Sequence, residues 1–570
     1  YDTAIAEGKR ASIAEAERSD VFTMRVGNIP GGEEATIALT LDGPLAYDDD
    51  EATLRFPLVV APRYIPGDPL GGPAAGEGYA EDTDAVPDAS RITPPVLLPG
   101  FPNPVRLSIE ATIDPAGLPL LEVASSLHTV TTDESGGVTR VRVEAGERVN
   151  RDFVLRFSYG DPGRVASTLV TAPDTDDSTR GTFQLTAVPP RDLPAARPRD
   201  LVVLLDRSGS MRGWKMVAAR RAAARIVDTL SSTDRFAVRC FDTQLTSPEG
   251  LDSDGLSAGT DRNRFRAVEH LAGTESRGGT NILTPLSTAV DLLARGDAGR
   301  DRVIVLVTDG QVGNEDQILR ELSGKLAGMR VHVVGIDKAV NAGFLHRLSL
   351  VGRGRCELVE SEDRLDEATA HIHRRIVAPV ITEVSLAADG FEIEADTLAP
   401  QRLPDLFTGA PLLIGGRYHH AEGTPAITIS GTKQDGSRWS AAVDARLDTE
   451  AAIRVSWARA HLRDLEDRYA AAARSAPLDE LEKRIVDTSL RHRVLSRFTA
   501  FVAVDSRVVT EGGKPRTVVQ PVELPAGWEV DAFGAPAEAR PAAGAPRMMM
   551  AAGPAPGAAP QAYGAPPPSP

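Results

Sequence analysis

The sequence predicts a multidomain β and α/β protein whose centre is a Rossmann-like doubly wound parallel sheet, flanked by β-rich domains and followed by a disordered C-terminal tail. Three observations carry this. A chain of 570 residues exceeds one hydrophobic core, so three or four domains of about 100–200 residues each are expected. Between about 199 and 380, short aliphatic runs alternate with helical periodicities, the order that builds a parallel sheet through right-handed crossovers. On either side, strand-like runs succeed one another and helical patterns are sparse.

Composition narrows the function classes. The net charge of −17 argues against nucleic acid, which needs a basic surface. No apolar run approaches the ~18 residues that read as a membrane span. The only cysteines, Cys240 and Cys356, lie in expected strands of the central unit. Buried free thiols are the simpler reading, and a disulfide stays open.

Residues 201–205 read as a buried strand that stops abruptly at Asp206-Arg207-Ser208-Gly209-Ser210-Met211. A helix comes next over 214–230, with Met216, Ala219, Ala223, Ile226, Val227 and Leu230 along one face. Further strands are expected at 236–241, 302–308, 331–336 and 355–359, and helices at 262–271, 282–293, 315–326, 343–350 and 365–376. In open α/β sheets, ligands bind beyond the carboxyl ends of the strands. Asp206, Ser208 and Ser210 belong there after the first strand, and Asp309 after strand 302–308. The loop Arg277-Gly278-Gly279-Thr280-Asn281-Ile282 offers the hydroxyl of Thr280. Carboxylates and hydroxyls without Cys or His make a hard-oxygen set, suited to Mg2+ or Mn2+ rather than to zinc or copper.

This constellation resembles the metal-ion-dependent adhesion site of von Willebrand factor type A domains. The family pattern is Asp-x-Ser-x-Ser, then Thr, then Asp, and it is matched in order by Asp206, Ser208, Ser210, Thr280 and Asp309. The resemblance implies that Ser208, Ser210 and Thr280 hold the ion directly and that Asp206 and Asp309 act through water. The last vertex then goes to water or to a partner's carboxylate. That is binding, not turnover, and no enzyme is expected. No phosphate loop, no Gly-x-Gly-x-x-Gly after the first strand and no Gly-x-Ser-x-Gly elbow compete with it. His371 and His373 stand two apart on an expected helix and do not share a face. His419 and His420 alternate faces of an expected strand. Arg207 is expected to face solvent.

Before the central unit, residues 1–18 are expected to be helical, and 22–26, 35–41 and 52–60 to be strands. Tyr1-x-x-Ala4-Ile5-x-x-Gly8-Lys9-x-Ala11, Phe22-Thr23-x-Arg25-Val26-x-Asn28-Ile29-Pro30 and Phe56-Pro57-Leu58-Val59-Val60-Ala61-Pro62-Arg63-Tyr64-Ile65-Pro66-Gly67 are similar to the second half of the vault protein inter-alpha-trypsin (VIT) domain. The first half of that domain would precede Tyr1, so a truncated domain is expected at 1–66. A β-rich extension and linker occupy 67–198. This stretch begins with an exposed loop over 67–95, and strands are expected at 105–113, 138–143, 153–158 and 181–188. Ser126 and His128 are expected in a strand, with ordinary hydrogen bonding. The proline-rich stretch 189–199 leads into the type A unit at 199–380.

Residues 381–510 are expected to form a β unit, with strands at 384–395, 411–418, 426–431 and 439–443. A helical hairpin over 453–472 and 478–491 packs on it, before a last strand at 495–505. This region is similar to the segment after the type A domain in inter-alpha-trypsin inhibitor heavy chains and their bacterial relatives. The stretch 511–570, rich in Pro, Ala and Gly, has too few large apolar residues to order itself.

The expected function is metal-ion-dependent protein–protein interaction, in which a bound divalent cation captures an acidic side chain of a protein partner. Two alternatives stay open: a regulatory subunit working with an AAA ATPase, and a scaffold with a vacant metal site. Nothing in the sequence fixes a compartment.

Overall fold

The computed structural model describes residues 1–528 except 19–20, 42, 49–50, 98–102, 104, 116–119, 160–166, 190–196, 297–298, 369, 372–378, 421–424, 448–451, 473–477, 509–517 and 527. The central unit alternates as the aliphatic runs require. Strand β1 (Arg199–Asp206) leads to α1 (Trp214–Asp228), β2 (Arg235–Phe241), α2 (Asp261–Ala272) and α3 (Leu283–Ala294). Strand β3 (Asp301–Thr308), α4 (Glu315–Ser323), β4 (Met329–Ile336), α5 (Ala342–Val351) and β5 (Arg353–Val359) complete it.

The five strands are parallel in the order β2-β1-β3-β4-β5, with short antiparallel additions from Leu245–Thr246 and Ser257–Ala258 on β2. Successive residues of a strand face opposite sides. Leu201, Val203 and Leu205 pack with α1 and α2 through Ala219, Ala223, Ile226 and Leu271. Val202 and Leu204 pack on the other side with Leu286 and Val290 of α3, Ile318 of α4 and Phe344 of α5. The order reverses between β1 and β3, so the crevice beyond their carboxyl ends is the topological switch point.

The flanking segments are woven together. A seven-stranded sheet runs Ile381–Asp389, Ala426–Lys433, Arg438–Leu447, Thr168–Pro173, Arg180–Ala187, Leu412–His420, Phe391–Ile393. Two of its strands precede the central unit and five come after it, so stretches 67–198 and 381–510 share one sheet. Helices Ala452–Ala471 and Asp479–His492 form the expected hairpin and pack on that sheet. Trp457 lies against Gly415 and donates its indole N–H to Thr397 O at 2.8 Å.

Several local expectations are corrected. The helix over 1–18 is only Asp2–Ala6, and Lys9–Ala16 is a strand between Phe22–Gly27 and Ala500–Val508. A partner almost 500 positions away decides its state, which local periodicity cannot register. The expected strand at 35–41 has no ladder partner among the described residues and leaves Ile37, Leu39 and Leu41 exposed. Strand Glu51–Phe56 stops at Pro57, which has no N–H to give a ladder.

The loop at 67–95 is not exposed throughout. Around the short helix Ala89–Ile92, the side chains of Val86, Ala89 and Ile92 are buried together, and the Asp82 carboxylate accepts from the N–H groups of Ala75 and Ser90. Only Glu110–Ile113 of 105–113 is a strand. Leu120–Ser125, Val130–Ser135 and Thr168–Pro173 are strands that the local pattern does not announce. Ser126 and His128 lie between the first two of these, not in a strand. Ser126 accepts from Arg156, and the His128 ring is 3.3 Å from Arg148 O. The last strand begins at Ala500 rather than 495. Residues 365–368 and 370–371 are helical, and His373 and the tail 529–570 fall outside the described residues. Cys240 and Cys356 are free thiols.

Candidate metal centre

The β1 backbone ends at Asp206, which delivers its carboxylate fully buried into the switch-point crevice. Both its oxygens are engaged: Oδ1 accepts from Ser208 N–H at 2.8 Å and Oδ2 from the Thr308 hydroxyl at 2.6 Å. The Ser208 turn then brings its Oγ to 3.0 Å from Ser210 Oγ. The Ser210 hydroxyl in turn hydrogen-bonds Asp309, which comes directly after β3 and whose Oδ1 also accepts from Gln311 N–H at 3.2 Å. Four of the five residues expected from the sequence are thus joined by direct contacts. Gly310, next to Asp309, has φ 74°, a conformation that turns the chain away sharply and that side chains resist.

Thr280 is buried, and among the described residues no hydrogen bond joins it to the other four; its loop is held beside them by backbone bonds. Arg277 N–H donates to Arg207 O at 2.6 Å, Gly209 N–H to Gly278 O at 2.9 Å and Asn281 N–H to Asp242 O at 3.1 Å. These bonds clamp the loop against the Asp206–Ser210 turn. Arg207 does not face solvent as expected. It is buried and ion-pairs with Asp242 at 3.1 Å, which also holds Arg277 at 3.0 Å.

The electrostatics set this edge apart. Burial, then the neighbouring charge of Asp309, push the Asp206 carboxyl up to about 7. Burial also raises Asp309, helped by Asp337 and opposed by Lys215. No lysine or arginine among the described residues ion-pairs with Asp206. Two buried carboxylates with raised affinity for protons, ringed by hydroxyls, are the donor chemistry of a hard divalent cation. Among the described residues, no group of three or more His, Cys, Asp or Glu is placed to hold a metal. Any ion here must therefore lean on serine and threonine oxygens.

Four neighbours of the centre carry no motif of their own. Thr308 supports Asp206. Lys215, buried on α1, places Nζ 3.3 Å from Asp309 Oδ2 and 3.2 Å from Asp337 Oδ2. Asp337 had a legible signal, since it comes directly after β4 as Asp309 comes after β3. Tyr64 comes from the N-terminal segment and pairs with Val312, accepting from Gly313 N–H at 3.0 Å. Its ring lies over Gly279, where a Cβ would come within 2.7 Å of it, so a larger residue beside Thr280 requires the ring to move.

Residues 200–371 match the von Willebrand factor type A domain and residues 1–41 the vault protein inter-alpha-trypsin domain. The chain is 24% identical over 542 residues to von Willebrand factor A domain-containing protein 5A of Homo sapiens, covering 89% of this chain and 65% of that protein. It is 26% identical over 244 residues to inter-alpha-trypsin inhibitor heavy chain H4 of Bos taurus, covering 41% of this chain and 26% of that one. The chain spans less than two thirds of the length of these relatives. Among solved structures, a von Willebrand factor type A protein from Catenulispora acidiphila is 15% identical with a TM-score of 0.39, covering 57% of this chain and 86% of that chain. The chain thus carries a type A domain preceded by a VIT segment.

Proposed function

We propose that Asp206, Ser208, Ser210, Thr280 and Asp309 bind a divalent cation, Mg2+ or Mn2+, and that the protein uses it to hold an acidic side chain of a protein partner. The observation that carries this reading is the buried Asp206–Asp309 pair, both carboxyls raised, set among hydroxyls. Neutral hydroxyl ligands leave an ion short of negative charge, and a cation so held attracts an external carboxylate. In this reading Ser208, Ser210 and Thr280 supply direct oxygens. Asp206 and Asp309, already engaged by Thr308, Ser208, Ser210 and Gln311, act from behind, through water.

Binding is the whole of the activity proposed, with no turnover. The type A domain supports the general role of protein interaction, and the VIT-bearing N-terminal region contributes Tyr64 to the rim of the same crevice.

The test is calorimetric titration of Mg2+ and Mn2+ into the EDTA-stripped chain beside Asp206→Ala. Saturable one-site binding, lost in the folded variant, is expected. A folded wild-type chain that binds neither ion at millimolar concentration would overturn the reading and leave an ion-independent scaffold.

A further inference from the structure

Lys215 is not an oxygen donor, yet it is built into the centre. Its side chain is 1% exposed, and its ammonium sits between Asp309 and Asp337 at 3.3 and 3.2 Å. Trp528, arriving from the far end of the described chain, lies against it. Its ring centroid lies 4.1 Å from Nζ, and its indole N–H donates to the same Asp337 oxygen at 2.9 Å. Asp337 Oδ1 is taken by Lys338 N–H at 2.7 Å.

A buried ammonium persists only where carboxylates compensate it, and here two do. The converse count is more informative. Asp206, Asp309 and Asp337 are each 0% exposed, and among the described residues Lys215 is the cation that ion-pairs with the last two. With all four ionised, the fixed side-chain charge is −2. Uncompensated buried charge is strongly unfavourable, and an ion of charge +2 offsets the sum of these four side chains. A monovalent ion leaves it short, and a trivalent ion overshoots.

Resting on the metal reading above, we infer that Lys215 is a built-in counter-charge that, with Asp337, tunes this centre to a divalent ion. Its action is indirect, through Asp309 and Asp337, and it is not itself a ligand. A lysine that served only to pack α1 on the sheet would leave the charge preference of the site alone.

The experiment measures Mn2+ and Tb3+ affinities of the EDTA-stripped full chain by calorimetry, for wild type, Lys215→Arg, Lys215→Met, Asp337→Asn and Lys215→Met/Asp337→Asn. Removing the ammonium takes the fixed charge to −3. Lys215→Met is therefore expected to raise the Tb3+ to Mn2+ affinity ratio by about tenfold or more, without weakening Mn2+. Asp337→Asn shifts the ratio the other way by a similar factor. The double variant restores −2 and the wild-type ratio, and Lys215→Arg keeps it throughout. A ratio within twofold of wild type in Lys215→Met, or parallel weakening of both ions, overturns the inference while the metal centre stands. Absence of Mn2+ binding by folded wild type overturns the metal reading instead. If Lys215→Met does not fold, Asp337→Asn decides, since an unchanged ratio there is equally fatal.

Discussion

Strand β1 buries an aspartate near each end, and the two ends are built differently. At its start, Asp200 is met by Arg235 at 2.6 Å and Arg300 at 2.7 Å. Beside it, Asp234 pairs with Arg199 at 2.9 Å and accepts from Ser231 N–H at 2.8 Å. Burial raises the Asp234 carboxyl, but Arg199 and the backbone donors outweigh it and hold it below the usual range. At the strand's other end, Asp206 has hydroxyl and amide donors but, among the described residues, no arginine ion pair, and it is pushed up to about 7. The same residue type, on the same strand, is internally neutralised at one end and left wanting positive charge at the other. The first carboxylate is neutralised by arginine, and the second is held by neutral donors.

The contrast can be broken at either end. Asp234→Ala leaves Arg199 buried without its partner and is expected to cost about 3–5 kcal/mol in urea unfolding, with Mn2+ affinity unchanged. Asp206→Asn is expected to do the reverse, losing Mn2+ without lowering the stability of the EDTA-stripped protein. A stability loss as large as that of Asp234→Ala would erase the distinction between the two ends.

The second expectation concerns pH. The folded chain holds a proton on Asp206 up to about pH 7, whereas an unfolded aspartate releases it near pH 4. Between these values the folded state binds more protons. Metal-free stability from this end is thus greatest below about pH 4 and falls as pH rises towards 7, by about 4 kcal/mol at most. Asp234 has the opposite sign, because its stabilisation is present above about pH 4 and is lost on acidification. Urea midpoints at pH 5 and 7.5, in EDTA and in saturating Mn2+, separate the two. The Asp206 slope should vanish when the ion is present, and a slope indifferent to Mn2+ would assign it elsewhere.

Third, Mn2+ at one hundred times its dissociation constant should stabilise the chain by about 2.7 kcal/mol, with EDTA reversing the gain. The smallest effect is expected far from both ends. Arg221 and Asp366 form an exposed pair at 3.9 Å, and Arg221→Ala should change stability by less than about 0.5 kcal/mol.

The alternation of the central unit was readable because each strand there is a short aliphatic run buried on both faces, and each helix keeps its own period. Four of the five candidate residues had a local signal for a related reason. Asp206, Ser208 and Ser210 lie within one turn, and Asp309 directly succeeds an unmistakable strand. These signals are local, and local sequence carries them intact.

What the tertiary structure alone decided is everything that depends on distant pairing. Lys9–Ala16 is a strand because Ala500–Val508 lies beside it. Thr168–Pro173 and Arg180–Ala187 join a sheet whose other strands come after residue 380. Lys215 carries no signal in the sequence, and only the packing of α1 sets its ammonium between Asp309 and Asp337. Trp528 and Tyr64 reach the centre from opposite ends of the chain. Periodicity records which face of an element is apolar, but not which element will cover it. The hydroxyls and carboxylates that meet at this crevice were therefore legible in the sequence, while the charge surrounding them was set only by folding.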